Sequence, residues 1–254
     1  MIYFKNVIHT GLLVVLTSCL SIAQVKTSVF KAGQLKYSKV KDAYDTKWPT
    51  LKEGIKTISI NPDNYDIYLR AFKHDKKLEV WLKNTDATSY KLFKTYDICA
   101  SSGDLGPKRQ EGDGQVPEGF YTIDLFNPTS NYYLSMRVSY PNTSDAILKT
   151  GKNAGGAIMI HGNCVTIGCM PMTDDKIKEL YVLCLEAKNR NRTVKVDIFP
   201  AKMTSENMKL LESNYSKDKL AFWNTLKPAY DYFEKNHSTR KVVTDAKGLY
   251  SFKD

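Results

Sequence analysis

The stretch of sequence that says most about this chain, called here the deciding stretch, reads Ile160-His161-Gly162-Asn163-Cys164-Val165-Thr166-Ile167-Gly168-Cys169-Met170-Pro171-Met172-Thr173-Asp174. An apolar run from Ala157 leads into it, which is typical of a buried strand, and His161-Gly162 stands where that run ends. Cys169 follows eight residues after His161, and a helical pattern begins soon afterwards. A base, a thiol and the N–H groups of a helix start therefore lie in one short segment. These are the parts that thiol-based acyl transfer requires.

The residues after the Gly-Cys pair favour a reactive Cys169. Thr173 has the position of a helix N-cap, and Asp174 and Asp175 follow it in the first turn. We expect the positive end of the helix dipole to lower the pKa of the Cys169 thiol. The alternative is a buried strand that ends in a turn, with the cysteines as small core residues and the histidine as a hydrogen-bonded polar group.

Only one of the four histidines suits the role of the base. His9 belongs to the N-terminal apolar segment, His74 to a charged run that predicts a hairpin turn, and His237 to a polar segment after a helix. His161 alone leaves an apolar strand beside a candidate nucleophile.

The stretch resembles the catalytic signature of the YkuD-type L,D-transpeptidases, and in particular that of the YafK-like branch, whose interval between His-Gly and Gly-Cys is similarly short. Further matching motifs follow in order along most of the chain: Gly106-Pro107-Lys108, Glu111-Gly112-Asp113, Pro117-Glu118-Gly119-Phe120-Tyr121, Phe199-Pro200 with Met203-Thr204, Phe222-Trp223, Leu226-Lys227-Pro228 and Tyr230-Asp231-Tyr232-Phe233. One position departs from the wider family, which usually has a second histidine two residues before the nucleophile. Ile167 stands there, so proton transfer would fall to His161 alone.

The resemblance implies a role for each residue of the signature. Cys169 would be the nucleophile and His161 the proton donor and acceptor. From the backbone itself we expect N–H groups around Gly168, Cys169 and Met170 to hold the oxyanion, with Gly168 and Met170 as the main candidates. We expect two further residues to contribute to substrate binding, Gly162 and Thr166.

A glycine-rich loop from Gly103 to Gly119 has two interpretations. As a wall of the substrate cleft, it would present Lys108 and Arg109 to the carboxylates of a peptide stem. As a rigid surface turn, it would have no direct role. It lacks the Gly-Lys-Ser/Thr ending of a phosphate-binding loop.

Residues 1–23 have the layout of a secretory signal, with Lys5 as their only charge. Two processing routes are open. Ser21-Ile22-Ala23 has the small-x-small form that an ordinary signal peptidase cuts, whereas Leu16-Thr17-Ser18-Cys19 resembles a lipobox, which would leave a lipidated Cys19. By either route we expect export to the periplasm or cell envelope, with membrane attachment only if Cys19 is lipidated.

The charge of the chain suggests a class of partner. The 254 residues carry a formal net charge of +10 at pH 7. A basic, exported protein suits an anionic envelope polymer, toward which its field would steer it. No nucleic-acid-binding motif accompanies the charge, so we do not expect nucleic acid as a partner. Individual lysines such as Lys73, Lys76 and Lys77 are expected to be solvated.

Four cysteines remain after ordinary cleavage: Cys99, Cys164, Cys169 and Cys184. An exported protein favours disulfides, and a free Cys169 allows at most one pair among the other three. Cys184 lies in an apolar helical run and is expected in the core, whereas the sequence leaves open whether Cys99 and Cys164 meet. C-x-x-C and paired-histidine spacings are missing, so we expect no metal, and we expect no cofactor.

The order of periodic segments predicts a strand-rich body followed by helices. We expect strands at 66–72, 77–83, 90–98, 119–124, 134–140, 157–160, 193–199 and 241–252, and helices at 173–189, 205–214 and 218–236. Short strands with helices at one edge favour a mainly β fold with α, a β-sandwich or barrel-like core, and the resemblance implies the same. We divide the chain into a signal peptide (1–23), an N-terminal extension (24–58), a catalytic domain (59–200) and a C-terminal helical extension packed on the core (201–254).

The sequence therefore predicts an exported cysteine acyltransferase. The resemblance implies that its substrates are peptidoglycan tetrapeptide stems, cut between the L-centre of a diamino acid and a terminal D-residue, and that the thioester on Cys169 passes to an amine on another stem or on a protein. With water as the acceptor, the same residues would make an L,D-carboxypeptidase or an amidase that releases attached proteins. A non-catalytic envelope-binding protein is the third hypothesis, and the intact His161 and Cys169 argue against it.

Overall fold

The computed structural model of the protein describes residues 29–253, so the predicted signal peptide and Cys19 lie outside the described residues. Beyond a helical segment at residues 29–34, the helices are α1 (Ser38–Thr57), α2 (Thr143–Leu148), α3 (Asp174–Asn189), α4 (Ser205–Asn214) and α5 (Lys217–Asn236). The strands are β1 (Tyr65–Phe72), β2 (Lys77–Asn84), β3 (Lys91–Asp97), β4 (Gly119–Asn127), β5 (Ser135–Val138), β6 (Met159–His161), β7 (Met170–Pro171), β8 (Lys195–Phe199), β9 (Lys241–Thr244) and β10 (Tyr250–Lys253).

Eight strands form one mixed sheet in the order β3-β2-β1-β8-β4-β5-β6-β7. Strand β8 lies between β1, to which it is parallel, and β4, to which it is antiparallel. The last pair, β6 and β7, is parallel and carries the deciding stretch of the sequence. The predicted fold class, a mainly β core with helices, is confirmed.

Alternation along the central strands gives the sheet two buried faces. Ile67, Leu69 and Ala71 belong to the main core, which α1 and α3 cover. Tyr68 and Phe72 point the other way and pack against aromatic side chains of α5. Each fully buried large apolar side chain of this kind stabilises the fold by about 1.5–3 kcal/mol. The central strands are therefore fixed from both sides, and the sheet edge that carries the deciding stretch is built on them.

The C-terminal residues cover the second face. The amphipathic pattern from Phe222 to Phe233 indicated a helix packed on the core, and α5 buries those aromatic residues against Phe72 and Phe199. The final segment differs from the expectation of one strand, because it folds into a hairpin of two, β9 and β10. Asp245, Lys247 and Gly248 supply the turn, which interrupts the β pattern.

Three elements were not predicted from the sequence, namely α1, α2 and β7. Helix α1 has a weak apolar pattern among many lysines, and packing on the main core stabilises it. Helix α2 has six residues and depends on a capping box between Asn142 and Asp145. Strand β7 has two residues and is defined only by its pairing with β6. No helix in the described part of the chain is long and apolar enough to cross a membrane.

Candidate active site

The imidazole of His161 is held in one tautomer at the end of β6. Its Nδ1 lies 2.5 Å from the carbonyl oxygen of Gly162. Because a carbonyl oxygen only accepts, Nδ1 donates the hydrogen bond and Nε2 keeps its lone pair. The ring is 2% exposed, and the ring of Tyr132 covers it at a centroid distance of 4.7 Å. Burial lowers the pKa of His161, so the side chain is a neutral base near neutral pH.

Strand pairing brings the Cys169 thiol to the same part of the sheet. In the parallel register Ile160 pairs with Met170, which sets Cys169 beside Met159. The contact confirms this placement, because the Met159 N–H donates to Cys169 Sγ at 3.4 Å. Met159 and His161 are two residues apart on one strand, about 7 Å along the backbone, and their side chains point to the same side. The register therefore brings Cys169 and His161 to the same end of the β6–β7 pair.

The predicted effect of the helix dipole on Cys169 is wrong. Thr173 is the N-cap of α3, as expected, and accepts from the Lys176 N–H. However, β7 lies between Cys169 and that helix, so the thiol is not at the helix terminus. Burial instead raises the pKa of Cys169, against opposing effects of the Met159 N–H and the charge of Lys108. The resting group is a thiol that needs a base to ionise it.

The Thr166 hydroxyl is hydrogen-bonded to two backbone N–H groups of the loop that holds Cys169. It accepts hydrogen bonds from the N–H of Cys169 at 2.8 Å and of Gly168 at 3.2 Å, and it donates to the Cys169 carbonyl at 2.9 Å. The Gly168 N–H, which was predicted to hold an oxyanion, is thus engaged at rest. Met170 is buried and paired with Ile160 in the sheet. Thr166 fixes the loop that holds Cys169, and its oxygen lies where a pair of N–H donors converges.

Two glycines of the signature are required by close packing. A Cβ on Gly162 would lie 2.6 Å from Asp174 Oδ1 and 2.9 Å from the Tyr132 carbonyl oxygen. Gly168 has φ +125°, a conformation that disfavours other residues, and a Cβ there would lie 3.2 Å from the Gln115 carbonyl oxygen. Gly162 also accepts the hydrogen bond from His161, so its contact with the base is through the backbone. Its predicted contact with substrate stays a prediction.

Lys108 and Arg109 make internal ion pairs in the loop between β3 and β4. Lys108 is 5% exposed, and its ammonium lies 2.5 Å from Asp113 Oδ1. Arg109 lies 3.4 Å from Asp145 and over the ring of Phe222 at 4.6 Å. Their role as ligands of substrate carboxylates stays a prediction, and the structure gives Lys108 a second effect, since its charge favours the Cys169 thiolate.

A cavity of about 240 Å³ adjoins Cys169 on the side of the β1–β2 turn. His74, Lys76, Asp104 and Tyr215 are among its lining residues. The sequence analysis placed His74 correctly in a hairpin turn but gave it no place near the nucleophile. The signal that was not used is the concentration of cations in the run Lys73-His74-Asp75-Lys76-Lys77.

Lys73 is buried, so the expectation that it is solvated is wrong. Its ammonium lies 2.9 Å from Glu118 Oε1 and donates to the carbonyls of Gly106 and Val116. The fully buried Glu118 also accepts from the Gly106 N–H at 2.8 Å and from Trp223 Nε1 at 2.6 Å. A buried charge needs such partners, and this network fastens the glycine-rich loop to the turn after β1 and to α5.

A disulfide fixes the N-terminal end of the loop that holds Cys169. Cys99, after β3, is bonded to Cys164, and the Cys99 N–H also donates to the Pro171 carbonyl at 3.0 Å. This answers the question that the sequence left open. Cys184 is fully buried in α3, as predicted, and Cys169 is a half-buried free thiol. Within residues 29–253, no three His, Cys, Asp or Glu side chains converge as ligands for a metal.

Known proteins are similar to this chain in sequence. The model of the YkuD family, described as an L,D-transpeptidase catalytic domain, matches residues 66–198. The YafK protein of Escherichia coli (strain K12), provisionally designated an L,D-transpeptidase, is 39% identical over 181 residues, which are 70% of this chain and 69% of that protein. A protein of the same designation from Escherichia coli O157:H7 matches equally.

Solved structures also align with the chain. The helical cell shape determining protein Pgp2 of Campylobacter jejuni is 20% identical, with a TM-score of 0.44 over 72% of this chain and 74% of that one. Bd1075 of Bdellovibrio bacteriovorus is 21% identical, with a TM-score of 0.36 over 53% of this chain and 47% of that one. The family match covers β1 to β8 and the whole of the Cys169 loop. Together with the identity to YafK, it shows that this chain belongs to the YkuD L,D-transpeptidase family.

Proposed function

We propose that the protein is an L,D-transpeptidase that transfers acyl groups of peptidoglycan stem peptides through a thioester on Cys169. The observation that carries the proposal is a free thiol and a tautomerically fixed imidazole that the strand register brings to the same end of the β6–β7 pair. Membership in the family supplies the substrate class, a tetrapeptide stem with a terminal D-residue.

In this proposal, Nε2 of His161 carries out the proton transfers. Nε2 takes the Sγ proton as the sulfur attacks the carbonyl carbon that precedes the terminal D-residue. The same proton then passes to the nitrogen of the D-amino acid as its C–N bond breaks, which leaves the thioester. Nε2 next removes a proton from the acceptor amine, which attacks the thioester and releases the thiol. The raised pKa of Cys169 agrees with this sequence, because the thiol ionises only when the base acts.

The oxyanion is proposed to form where the Thr166 hydroxyl now lies. The N–H groups of Gly168 and Cys169 converge on that oxygen, and they would turn to the developing negative charge when the hydroxyl moves aside. Basic residues beside Cys169, among them His74 and Lys76, suit the carboxylates of the stem.

We propose that the protein acts in the cell envelope. Two features support this, the signal-like residues 1–23 and the disulfide between Cys99 and Cys164, because disulfides persist in oxidising compartments. The disulfide holds the loop that carries Cys169, so an oxidising compartment would preserve the geometry of the proposed site.

Incubation of the purified protein with tetrapeptide muropeptides, followed by mass spectrometry, tests the function. Cross-linked dimers and free D-amino acid are expected from the wild type and from Cys184→Ala, whose thiol is also free but lies in the core. Cys169→Ala is expected to give neither product. Trimmed monomers without dimers would show that water is the acceptor and would replace the transferase by a hydrolase. Unchanged muropeptides with every variant would refute catalysis on this substrate.

A further inference from the structure

One peptide unit directly after β6 is hydrogen-bonded on both of its sides. The carbonyl oxygen of Gly162 accepts from Nδ1 of His161, and the N–H of Asn163 donates to Oδ1 of Asp174 at 2.9 Å. The carbonyl and the N–H belong to the same planar unit, so they point in opposite directions and turn together. The carboxylate of Asp174 is therefore joined to the imidazole through a single peptide group.

The backbone at this place needs support from outside. Asn163 has φ +58°, a left-handed conformation that costs free energy for a residue other than glycine, although asparagine adopts it more readily than most. The preceding peptide unit is held by the segment before β5, because the Gly162 N–H donates to the carbonyls of Tyr132 and Leu134 at 3.1 Å each. Glycine itself restricts the next rotation very little. The orientation of the following unit thus depends on the hydrogen bonds at its two sides.

Asp174 is fixed where it can act on this peptide unit. It is the first residue of α3, directly after the N-cap Thr173, and Ile177 in the next turn packs in the main core. The chain that enters the helix is tied to the base as well, since the Met172 N–H donates to the His161 carbonyl at 2.7 Å. The carboxylate therefore stands on a rigid element whose distance from His161 is set by backbone hydrogen bonds.

The next residue shows the ordinary use of an acid at a helix start. Asp175 is exposed, lies near the positive end of the helix dipole and forms an ion pair with Lys47 on α1. Asp174 turns back toward the end of β6 instead, and the missing side chain at Gly162 leaves room for its Oδ1. Two adjacent acids of the same turn thus differ in what they touch, which provides a matched comparison.

We propose that Asp174 is a positioning residue for the base: through the Gly162–Asn163 peptide unit it keeps the proton of the neutral imidazole on Nδ1 and the lone pair on Nε2. In Ser-His-Asp triads the carboxylate accepts from Nδ1 directly, whereas here a peptide group stands between them. A carboxylate makes a charge-assisted hydrogen bond and polarises the peptide beyond it, so the Gly162 carbonyl becomes a better acceptor. The role of Asp174 rests on the proposed function, because the lone pair matters only if His161 takes the Cys169 proton.

Nitrogen-15 NMR of the full chain carrying Cys169→Ala reads the tautomer directly and needs no substrate. At about pH 8 the imidazole is neutral, because burial lowers the pKa of His161, and long-range proton–nitrogen spectra separate a ring nitrogen that carries a proton from one with a lone pair. Loss of signals in His161→Gln identifies this residue among the four histidines. We expect the parent to carry the proton on Nδ1, and Asp174→Ala to raise the share of the Nε2–H form about tenfold.

Three further variants separate positioning from helix stability. Asp174→Asn keeps an oxygen at the place of Oδ1 and should restore most of the parent tautomer. Asp174→Ser is too short to reach the Asn163 N–H and should behave like Asp174→Ala, so it keeps the test valid if the alanine variant does not fold. Asp175→Ala removes the same charge from the same helical turn and should leave the tautomer of His161 unchanged.

Turnover of tetrapeptide muropeptides, with Cys169 intact, shows whether the tautomer matters for the reaction. Asp174 is exposed, so solvent screens its charge, and Asp174→Ala should lower kcat about tenfold rather than the 10⁴-fold of a triad carboxylate. KM should stay within about twofold, and Asp175→Ala should match the wild type in both constants.

The proposal is overturned if Asp174→Ala and Asp174→Ser leave His161 in the parent tautomer, or if Asp175→Ala shifts it as far as they do. A shifted tautomer with unchanged kcat in an active enzyme would overturn it equally. If neither the wild type nor any variant converts muropeptides, the proposed function fails, while the NMR result still decides whether Asp174 holds the tautomer.

Discussion

Replacing Cys99 and Cys164 together by serine removes the cross-link between the end of β3 and the catalytic loop. The cysteines are 65 residues apart in sequence, and the loop-entropy relation for a ring of that size gives about 4 kcal/mol at 25 °C. The hydrogen bond from the Cys99 N–H to Pro171 does not involve the sulfurs and should persist, so the native geometry is largely kept. We therefore expect the variant to fold and to be less stable by about 4 kcal/mol, a large share of the 5–15 kcal/mol typical of a domain.

Urea unfolding followed by tryptophan fluorescence measures this loss. The free energy of unfolding of the wild type in reducing buffer should fall to the value of the double variant, whereas the double variant should not respond to reductant. Cys184→Ala in the wild-type background is the control, because it removes a free thiol and leaves the cross-link. A difference of less than about 1 kcal/mol between wild type and double variant would show that the disulfide does not constrain the unfolded chain as the relation assumes.

Three further predictions concern the site and its support. His161→Gln should fold and lose nearly all turnover. In the wild type, the rate should be lost as pH falls through the pKa of His161. Because burial lowers that pKa, the midpoint of the loss should lie below the ordinary histidine value of about 6.5. Glu118→Ala should lower the free energy of unfolding by about 3–5 kcal/mol, because the buried Lys73 loses its partner. Glu118→Gln should lower it less, and equal losses in the two variants would contradict the role of the hydrogen bonds. Thr166→Val should lower kcat about fivefold through loss of hydrogen bonds worth about 1 kcal/mol, with Thr166→Ser near wild type. An unchanged valine variant would show that the hydroxyl does not fix the loop.

Local patterns were sufficient for most of the regular structure. The alternation from Lys77 to Lys83 and the helical pattern from Ser205 to Asn214 correspond to β2 and α4 almost residue for residue. These segments have one polar side and one apolar side, so their own sequence reports the surface on which they pack. The His-Gly and Gly-Cys motifs were equally local, and with the family resemblance they predicted the candidate nucleophile and base.

What the sequence did not show depends on pairing between distant segments. The disulfide joins Cys99 to Cys164, and nothing near either cysteine specifies the other. Lys73 is in a charged run, and its burial is made tolerable by contacts with residues far along the chain, Glu118 before β4 and the carbonyls of Gly106 and Val116. Strand β7 has no pattern of its own because two residues are too few to show one. Each of these features appears only when the strand order is known.

The pKa of Cys169 shows why strand pairing changes the chemistry as well as the fold. With the thiol at a helix terminus, the dipole would have favoured a thiolate at rest, and a thiolate is the form that oxidants attack. Pairing of β6 with β7 instead moves Cys169 away from α3 and buries it, which raises the pKa and keeps the sulfur protonated. In the proposed mechanism, His161 ionises the thiol when substrate is bound. In the cell envelope that we propose for this protein, oxidising surroundings would preserve the Cys99–Cys164 bond and would consume a permanent thiolate, so a thiol that stays protonated at rest suits that compartment.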